Sequence, residues 1–237
     1  MSDRPFPDLE AAGVPAVTMD QMREVDRIMI EDLRIELMQM MENAGRNLAR
    51  LARRRFLPGR ALVMAGSGGN GGGGMVAARH LANWGVEVAV VLGKEPDRLG
   101  PVPAHQLDVL ERMGVPIVGQ PDSADLIIDA LIGYSLRGNP RGRIAELIEW
   151  ATGQQDSAVL SLDTPSGLDV TTGVPGVPCI AATATLTLAA PKTGLLEAAV
   201  VGELFLGDIS VPPAVYDAFD MTMPANVFDD DTVVRLI

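Results

Sequence analysis

A run of residues that is almost entirely glycine, 66–74, lies between an apolar stretch and a helical pattern, and it contains no basic residue. Residues without a Cβ atom let backbone N–H groups come close to a ligand, and the N-terminus of the following helix favours a negative charge. No Gly-Lys-Ser/Thr sequence follows, so the run is not a Walker-type loop, and its match to the Gly-x-Gly-x-x-Gly dinucleotide pattern is weak. The run predicts a site for a phosphate or a nucleotide.

Two further polar segments, 129–138 and 163–169, directly follow apolar stretches that are typical of buried strands. Because ligands of open parallel sheets bind at the carboxyl ends of the strands, we expect these segments and the glycine run to meet. Taken singly, each segment is also typical of a tight turn or a helix cap. Together they predict a site rich in oxygen atoms, suited to an alkali or alkaline-earth cation and to hydrogen bonds with a sugar or an amide; its donors are Asn70, Asp129, Asp163 and Ser166.

To bring these three segments to the same edge of a parallel sheet, strands and helices must alternate along the chain. Apolar residues at helical spacing extend from a predicted N-cap at Thr18 to about Arg55, with a break near 33–37. Further helices are predicted at 76–84, 104–113 and 144–152, and strands at 61–65, 86–92, 117–118, 125–130, 158–163, 184–189 and 204–209. This alternation predicts an α/β fold with a mostly parallel central sheet covered by helices on both faces, in a single domain across residues 1–237.

Composition narrows the function classes. The chain has 19 Lys and Arg against 31 Asp and Glu, a net charge of −12, which argues against general binding to nucleic acid or to an anionic membrane. The one cysteine, Cys179, suits a reducing cytoplasm and is interpreted as a small buried apolar residue rather than a nucleophile. The chain has only two histidines, His80 and His105, which argues against a histidine-based metal site and against a catalytic triad. With no apolar leader and no stretch long enough to span a membrane, the sequence predicts a cytoplasmic protein.

Six blocks of the sequence, in this order, resemble the YjeF N-terminal domain family, which is best known for NAD(P)H-hydrate epimerases. The resemblance extends from about residue 18 to 212, and its Met-Glu-Asn-Ala-Gly and Asp-x-Pro-Ser-Gly blocks are quite specific in combination. The blocks are residues 22–27, 37–46, the glycine run with 75–81, 129–135, 162–169 and 190–195.

The resemblance implies a Rossmann-like three-layer α/β/α sandwich that is usually a homodimer. It implies an isomerase that binds hydrated NADH or NADPH (NADHX or NADPHX) at the strand ends and interconverts the R and S forms. A dehydratase that accepts one epimer can then clear both. Since residues 1–237 include no dehydratase domain of the kind fused to many bacterial members, we expect any dehydratase to be a separate protein.

The family's site residues transfer onto this chain position by position. Asn70, Asp129 and Ser166 correspond to ligands of a potassium ion, and Asp163 corresponds to the substrate-contacting acid, which we take as the catalytic residue. Lys192, in the last block, is interpreted as a solvent-exposed or dimer-contacting lysine. The substrate-binding positions, besides Asp163, are Gly69, Asn70, Gly71, Gly72, Gly73, Gly133, Tyr134, Ser135, Leu136, Arg137, Gly138 and Asn139.

The glycine run departs from the family's Asn-Asn-Gly-Gly-Asp-Gly pattern at two positions. Gly69 replaces its first Asn and Gly73 replaces its Asp, and Gly73 is expected to leave the loop more flexible. Two hypotheses follow. The protein is an active epimerase, as the retained oxygen donors favour, or it is a catalytically impaired member that serves as a nucleotide-binding or dimerising scaffold, as the two replacements favour.

Overall fold

The computed structural model describes residues 5–237, and within them nine strands form one sheet. Every neighbouring pair of strands is parallel except β8 and β9, which are antiparallel. The predicted mostly parallel α/β fold is therefore confirmed. The strands are β1 (Asp8–Leu9), β2 (Arg60–Ala65), β3 (Glu87–Leu92), β4 (Ile117–Val118), β5 (Leu126–Ala130), β6 (Ala158–Leu162), β7 (Ala184–Leu188), β8 (Glu203–Gly207) and β9 (Val233–Leu236), in the spatial order β1-β9-β8-β7-β6-β5-β2-β3-β4.

Five α-helices lie in the same described part of the chain: α1 (Met19–Arg27), α2 (Leu37–Arg55), α3 (Gly69–Asn83), α4 (Pro101–Arg112) and α5 (Arg143–Thr152). Thr18 and Gln21 form the expected capping box of α1. A π-helical turn, Ile28–Asp32, continues α1, and the chain then leaves helical geometry before α2 begins. The predicted break in the N-terminal helical segment is confirmed.

The two faces of the sheet are buried under different helices. Val63 of β2 packs in a core cluster that also contains buried residues of α2, α3 and α4, whereas Met64 packs in a second cluster with Leu147 of α5. Adjacent residues of one strand thus point into two apolar layers, which confirms the three-layer arrangement. None of the helices within residues 5–237 is long and apolar enough to cross a membrane.

The glycine run is mostly helix rather than loop, which corrects the prediction. Helix α3 begins at Gly69, so only 66–68 remain as a connection from β2. A Cβ atom on Gly74 would overlap Ala130 of β5, and one on Gly45 of α2 would overlap the carbonyl oxygen of Gly73. These glycines let α3 pack directly on α2 and on the sheet, and that close packing fixes the position of the first turn of α3.

Candidate active site

A pocket of about 460 Å³ lies between the carboxyl ends of the central strands and the N-terminal helices. Its floor comes from the segments that follow β2, β5 and β6, and α1 and α2 supply a wall. The structure therefore brings the three polar segments together at one edge of the sheet. The residues that carry the chemistry or the shape of the pocket are Met22, Asp26, Ile30, Leu37, Met41, Gly69, Asn70, Gly133, Tyr134, Ser135, Asp163 and Lys192.

Asp163 is held rigidly at the floor of this pocket. Its backbone has a φ of +67°, and its N–H donates to the carbonyl oxygen of Leu186 at 2.7 Å. The ammonium of Lys192 donates to Asp163 Oδ1, and the backbone N–H of Tyr134 donates to Oδ2 at 3.2 Å. The strained φ persists because these contacts fix the residue from three sides.

Lys192 is completely buried, so its interpretation as a solvent-exposed or dimer-contacting lysine was wrong. Its ammonium has three protein acceptors: Asp163 Oδ1, the hydroxyl of Thr187 at 3.2 Å and the carbonyl oxygen of Leu188 at 2.9 Å. A buried charge is tolerated when it is paired and hydrogen-bonded, and this one is both. Lys192 supplies the counter-ion of the Asp163 carboxylate within the pocket.

Tyr134 joins the pocket floor to α1. Its hydroxyl donates to Asp26 Oδ2, across 108 residues of sequence. Burial raises the pKa of Asp26, as does the nearby Asp163, while the hydrogen bond from Tyr134 and the charge of Lys192 act in the opposite direction. Burial and the charge of Asp26 raise the pKa of Tyr134, so at neutral pH its hydroxyl is a neutral donor.

Asp129 lies behind the pocket floor and is wholly buried. Its Oδ2 accepts from the N–H of Ser166 at 2.8 Å and the hydroxyl of Ser161 at 2.9 Å. Its Oδ1 accepts from the Ser166 hydroxyl and from the N–H of Leu131 at 3.3 Å. Burial raises the pKa of Asp129, and these hydrogen bonds oppose that shift. The carboxyl group ties the ends of β5 and β6 together.

Asn70 stands in the first turn of α3 with its amide against Gly133. A Cβ atom on Gly133 would lie 3.4 Å from Asn70 Cγ and 3.3 Å from Asp163 Oδ2, so only glycine fits without displacing these side chains. Among the described residues, Asn70 Nδ2 is buried and has no hydrogen-bond partner. A buried polar atom without a hydrogen-bond partner lowers the stability of the fold. Rotating the Asn70 amide by 180° would place its oxygen at this position instead of the nitrogen. The site thus offers a ligand one unpaired polar group.

Several residues predicted for substrate binding lie outside the pocket. The glycines at 71–73 are buried within α3, where a Cβ on Gly73 would lie 2.8 Å from Leu162 Cδ2. The residues at 136–139 form the turn beyond Ser135, and Asn139 Oδ1 accepts from the N–H of Val177 at 3.1 Å. Gly73 is therefore a packing position, which corrects its description as part of a flexible loop.

The N-terminal wall includes no residue that was predicted for the site from the sequence. Met22, Asp26 and Ile30 are spaced four residues apart and all line the pocket. A carboxylate within such an apolar stripe is the signal that could have identified Asp26.

The described residues offer few side chains for a metal site built from His, Cys, Asp and Glu, or for a reactive thiol. Residues 5–237 contain no group of three or more His, Cys, Asp or Glu side chains arranged to hold a metal ion. Burial and the charge of Asp129 raise the pKa of Cys179 to about 11, so it is a neutral thiol at physiological pH. Cys179 is only partly buried, which corrects the expectation of a buried residue, while its neutral thiol agrees with the interpretation that it is not a nucleophile.

Comparisons with known proteins agree with this architecture. A family model described as "YjeF-related protein N-terminus" matches residues 37–194. The crystal structure of the yeast protein ynu0 has a similar fold, with a TM-score of 0.81 over 94% of this chain and 100% of that chain at 24% sequence identity.

Curated relatives carry names that refer to the epimerisation or repair of NAD(P)H hydrates. The NAD(P)H-hydrate epimerase of Dehalogenimonas lykanthroporepellens is 47% identical, over 98% of this chain and 96% of its own length. The NAD(P)H-hydrate epimerase of Rhodopirellula baltica is 33% identical, over 84% of this chain and 86% of its own length. A protein named bifunctional NAD(P)H-hydrate repair enzyme Nnr, from Hyperthermus butylicus, is 39% identical, and the match covers 76% of this chain but 35% of that longer protein.

Proposed function

The chain belongs to the family of YjeF-related N-terminal domains, and from that membership we propose that it is an NAD(P)H-hydrate epimerase. This isomerase interconverts the R and S forms of hydrated NADH and NADPH, a repair reaction of nicotinamide nucleotides. The observation that carries the proposal most directly is the near full-length similarity to relatives named for this activity. The alternative, a catalytically impaired scaffold, rested on Gly69 and Gly73, and Gly73 lies outside the pocket.

The substrate is proposed to bind with its phosphates at the first turn of α3. The N–H groups of Gly69 and Asn70, two residues that line the pocket, occupy the first two helical positions, where no preceding turn supplies an acceptor. A helix N-terminus of this kind favours anions and needs no basic residue beside it. Gly133, Tyr134 and Ser135 would then contact the nicotinamide half, and the exposed turn at 136–139 would face the rest of the dinucleotide.

Asp163 is proposed as the catalytic residue that exchanges a proton with the substrate. Its carboxylate lines the pocket, and its contacts with Lys192 and with the Tyr134 N–H fix its direction. Lys192 touches the carboxylate from the buried side, so it acts as a positioning residue. A fixed carboxylate in a partly closed pocket is the arrangement that general acid–base catalysis requires.

Potassium is proposed as the ion of this site, held by Asn70, Asp129 and Ser166. Asn70 has the buried amide atom without a partner, and Asp129 is a wholly buried carboxyl group bonded to uncharged donors. The Ser166 hydroxyl has an alternative acceptor, the carbonyl oxygen of Ile132 at 3.3 Å, which would leave Asp129 Oδ1 with only the N–H of Leu131 as a donor. A bound potassium ion would supply positive charge beside this carboxylate and beside the substrate phosphates.

Two assembly properties belong to the same proposal. We expect a homodimer, and we expect a separate dehydratase to consume one of the two epimers. The names of the longer relatives, which describe bifunctional repair enzymes, agree with a second repair activity acting in the same process.

The proposal is tested with a single purified epimer of hydrated NADH and chromatography that resolves the R and S forms. The wild-type protein accelerates their interconversion, and Asp163→Asn slows it by about 10²–10⁴-fold because a positioned acid–base group is lost. The matched control is Asp169→Asn, which changes an exposed carboxylate of the same motif that caps the N–H groups of Thr171 and Thr172. Equal rates for Asp163→Asn and the wild type would refute the assignment of Asp163.

A further inference from the structure

The pocket contains a second carboxyl group, and it comes from the N-terminal wall. Among the described residues that line the pocket, the two carboxyl groups are Asp163, on the sheet, and Asp26, on α1. Met22 and Ile30 flank Asp26 one turn away on either side and face the same pocket. Asp26 is therefore an acid in an apolar wall, and the Asp163–Lys192 mechanism described above does not use it.

Tyr134 connects the two acids through separate groups. Its hydroxyl donates to Asp26 Oδ2, and its backbone N–H donates to Asp163 Oδ2. Because the Tyr134 hydroxyl binds Oδ2, Oδ1 is the oxygen of Asp26 that would carry a transferable proton. The two carboxyl groups are close enough for the charge of Asp163 to act on Asp26.

We propose that Asp26, oriented by the Tyr134 hydroxyl, is a second catalytic proton-transfer group and works together with Asp163 on the hydrated nicotinamide. This inference rests on the proposed epimerase function and names the partner acid that the reaction uses. Inversion of one carbon without net chemical change needs one proton donor and one proton acceptor, which exchange roles in the second half of the reaction. Asp26 in the N-terminal wall and Asp163 on the pocket floor provide these two groups.

The reaction balances with these two groups alone. The hydrated carbon, C6, carries a hydroxyl and is bonded to the ring nitrogen N1. Asp163 takes the hydroxyl proton, the oxygen lone pair forms the C6=O bond, and the C6–N1 electron pair moves to N1, which takes the proton of Asp26. Rotation about C5–C6 turns the aldehyde over, and the reverse transfers close the ring with the opposite configuration. Both carboxyl groups return to their starting states.

The surroundings of the two acids assign their starting roles. Asp163 accepts a hydrogen bond from the ammonium of Lys192 through Oδ1, and this ion pair suits the acceptor role. Asp26 lies in the apolar wall, where burial and Asp163 raise its pKa and favour the protonated form, against the effects of Tyr134 and Lys192. The positive charge of Arg23, on the same helix, lowers the pKa of the Tyr134 hydroxyl, against the larger effect of burial. Environments that separate two carboxyl groups in this way are typical of acid–base pairs.

The test compares kcat, KM and pH profiles of the purified full chain with Asp26→Asn and Tyr134→Phe. Asp26→Asn keeps the shape of the side chain and loses the proton, so kcat falls by about 10²–10⁴-fold while KM changes little. In Tyr134→Phe the loss of the hydrogen bond raises the pKa of Asp26, so the alkaline limb of the profile moves to higher pH. Glu31→Gln is the control, because it removes an exposed carboxylate on the π-helical turn that follows α1.

Each outcome decides the inference. A kcat for Asp26→Asn within about threefold of the wild type, with an unchanged alkaline limb, would overturn it and leave the epimerase proposal intact. A wild-type protein that does not accelerate epimerisation would overturn both. Thermal unfolding checks that the variants fold, and if Asp26→Asn does not, the pH profile of Tyr134→Phe decides alone: an unmoved alkaline limb overturns the role of Asp26.

Discussion

Replacing Lys192 with methionine is expected to lower the free energy of unfolding by about 3–5 kcal/mol, because the change leaves the Asp163 carboxylate buried without its counter-ion. The side chain of Lys192 is 1% exposed and that of Asp163 is 6% exposed, so solvent reaches the unpaired carboxylate only from the pocket. The Thr187 hydroxyl and the Leu188 carbonyl also lose their donor. Methionine nearly matches the length of lysine, so the missing charge, rather than a cavity, dominates the loss.

Urea and thermal unfolding, followed by circular dichroism, measure this loss. For a chain of this size the expected decrease in Tm is about 6–20 °C, at about 2–4 °C per kcal/mol. The double variant Lys192→Met/Asp163→Asn should be considerably more stable than the sum of the single changes predicts, because no charge is then buried alone. A loss below about 1 kcal/mol for Lys192→Met, or strict additivity in the double variant, would refute the buried ion pair as a stabilising unit.

Three further measurements test the roles of Gly73, Ser166 and Asp26. Gly73→Asp, which restores the family residue, should lower the stability by about 1–3 kcal/mol in urea unfolding without raising the epimerisation rate, because its Cβ would crowd Leu162. Ser166→Ala removes a donor to the buried Asp129, so we expect a loss of about 1–3 kcal/mol and a weaker dependence of the rate on potassium. Burial raises the pKa of Asp26 above its ordinary 3.8, so its contribution to stability is present at acid pH and lost as the pH rises through the raised pKa. The stability of the wild type relative to Asp26→Asn, measured by urea unfolding from pH 4 upward, should therefore fall across that range, and a flat difference would contradict it.

Local patterns in the sequence were sufficient for strands β2 to β8 and for the edge of the sheet at which the pocket lies. Strands such as β2 and β5 are continuous apolar runs because both their faces are buried, and such runs are recognisable without a structure. The break between α1 and α2, near residues 33–37, was also predicted from the sequence. Since ligand sites of parallel sheets follow strand ends, the segments after β2, β5 and β6 could be placed together by the same rule.

The parts that the sequence did not predict depend on long-range packing. Strands β1 and β9 have two and four residues, too few for a pattern, and they form through pairing between the two ends of the chain. The start of α3 was misplaced because glycine usually indicates a loop, whereas these glycines are required by contact with α2 and β5. Lysine is rarely buried, so only the fold could show that Lys192 lies beside Asp163. The contact between Asp26 and Tyr134 spans 108 residues and leaves no local signal.

The central claim, that this chain epimerises hydrated NADH and NADPH, is tested most directly by one rate measurement. A single pure epimer is incubated with and without the purified protein, in potassium and in sodium buffers, and the appearance of the other epimer is followed by chromatography. We expect a rate that rises in proportion to the protein concentration, is higher in potassium and is lost in Asp163→Asn. An interconversion rate equal to that of the buffer alone, at every protein concentration, would contradict it.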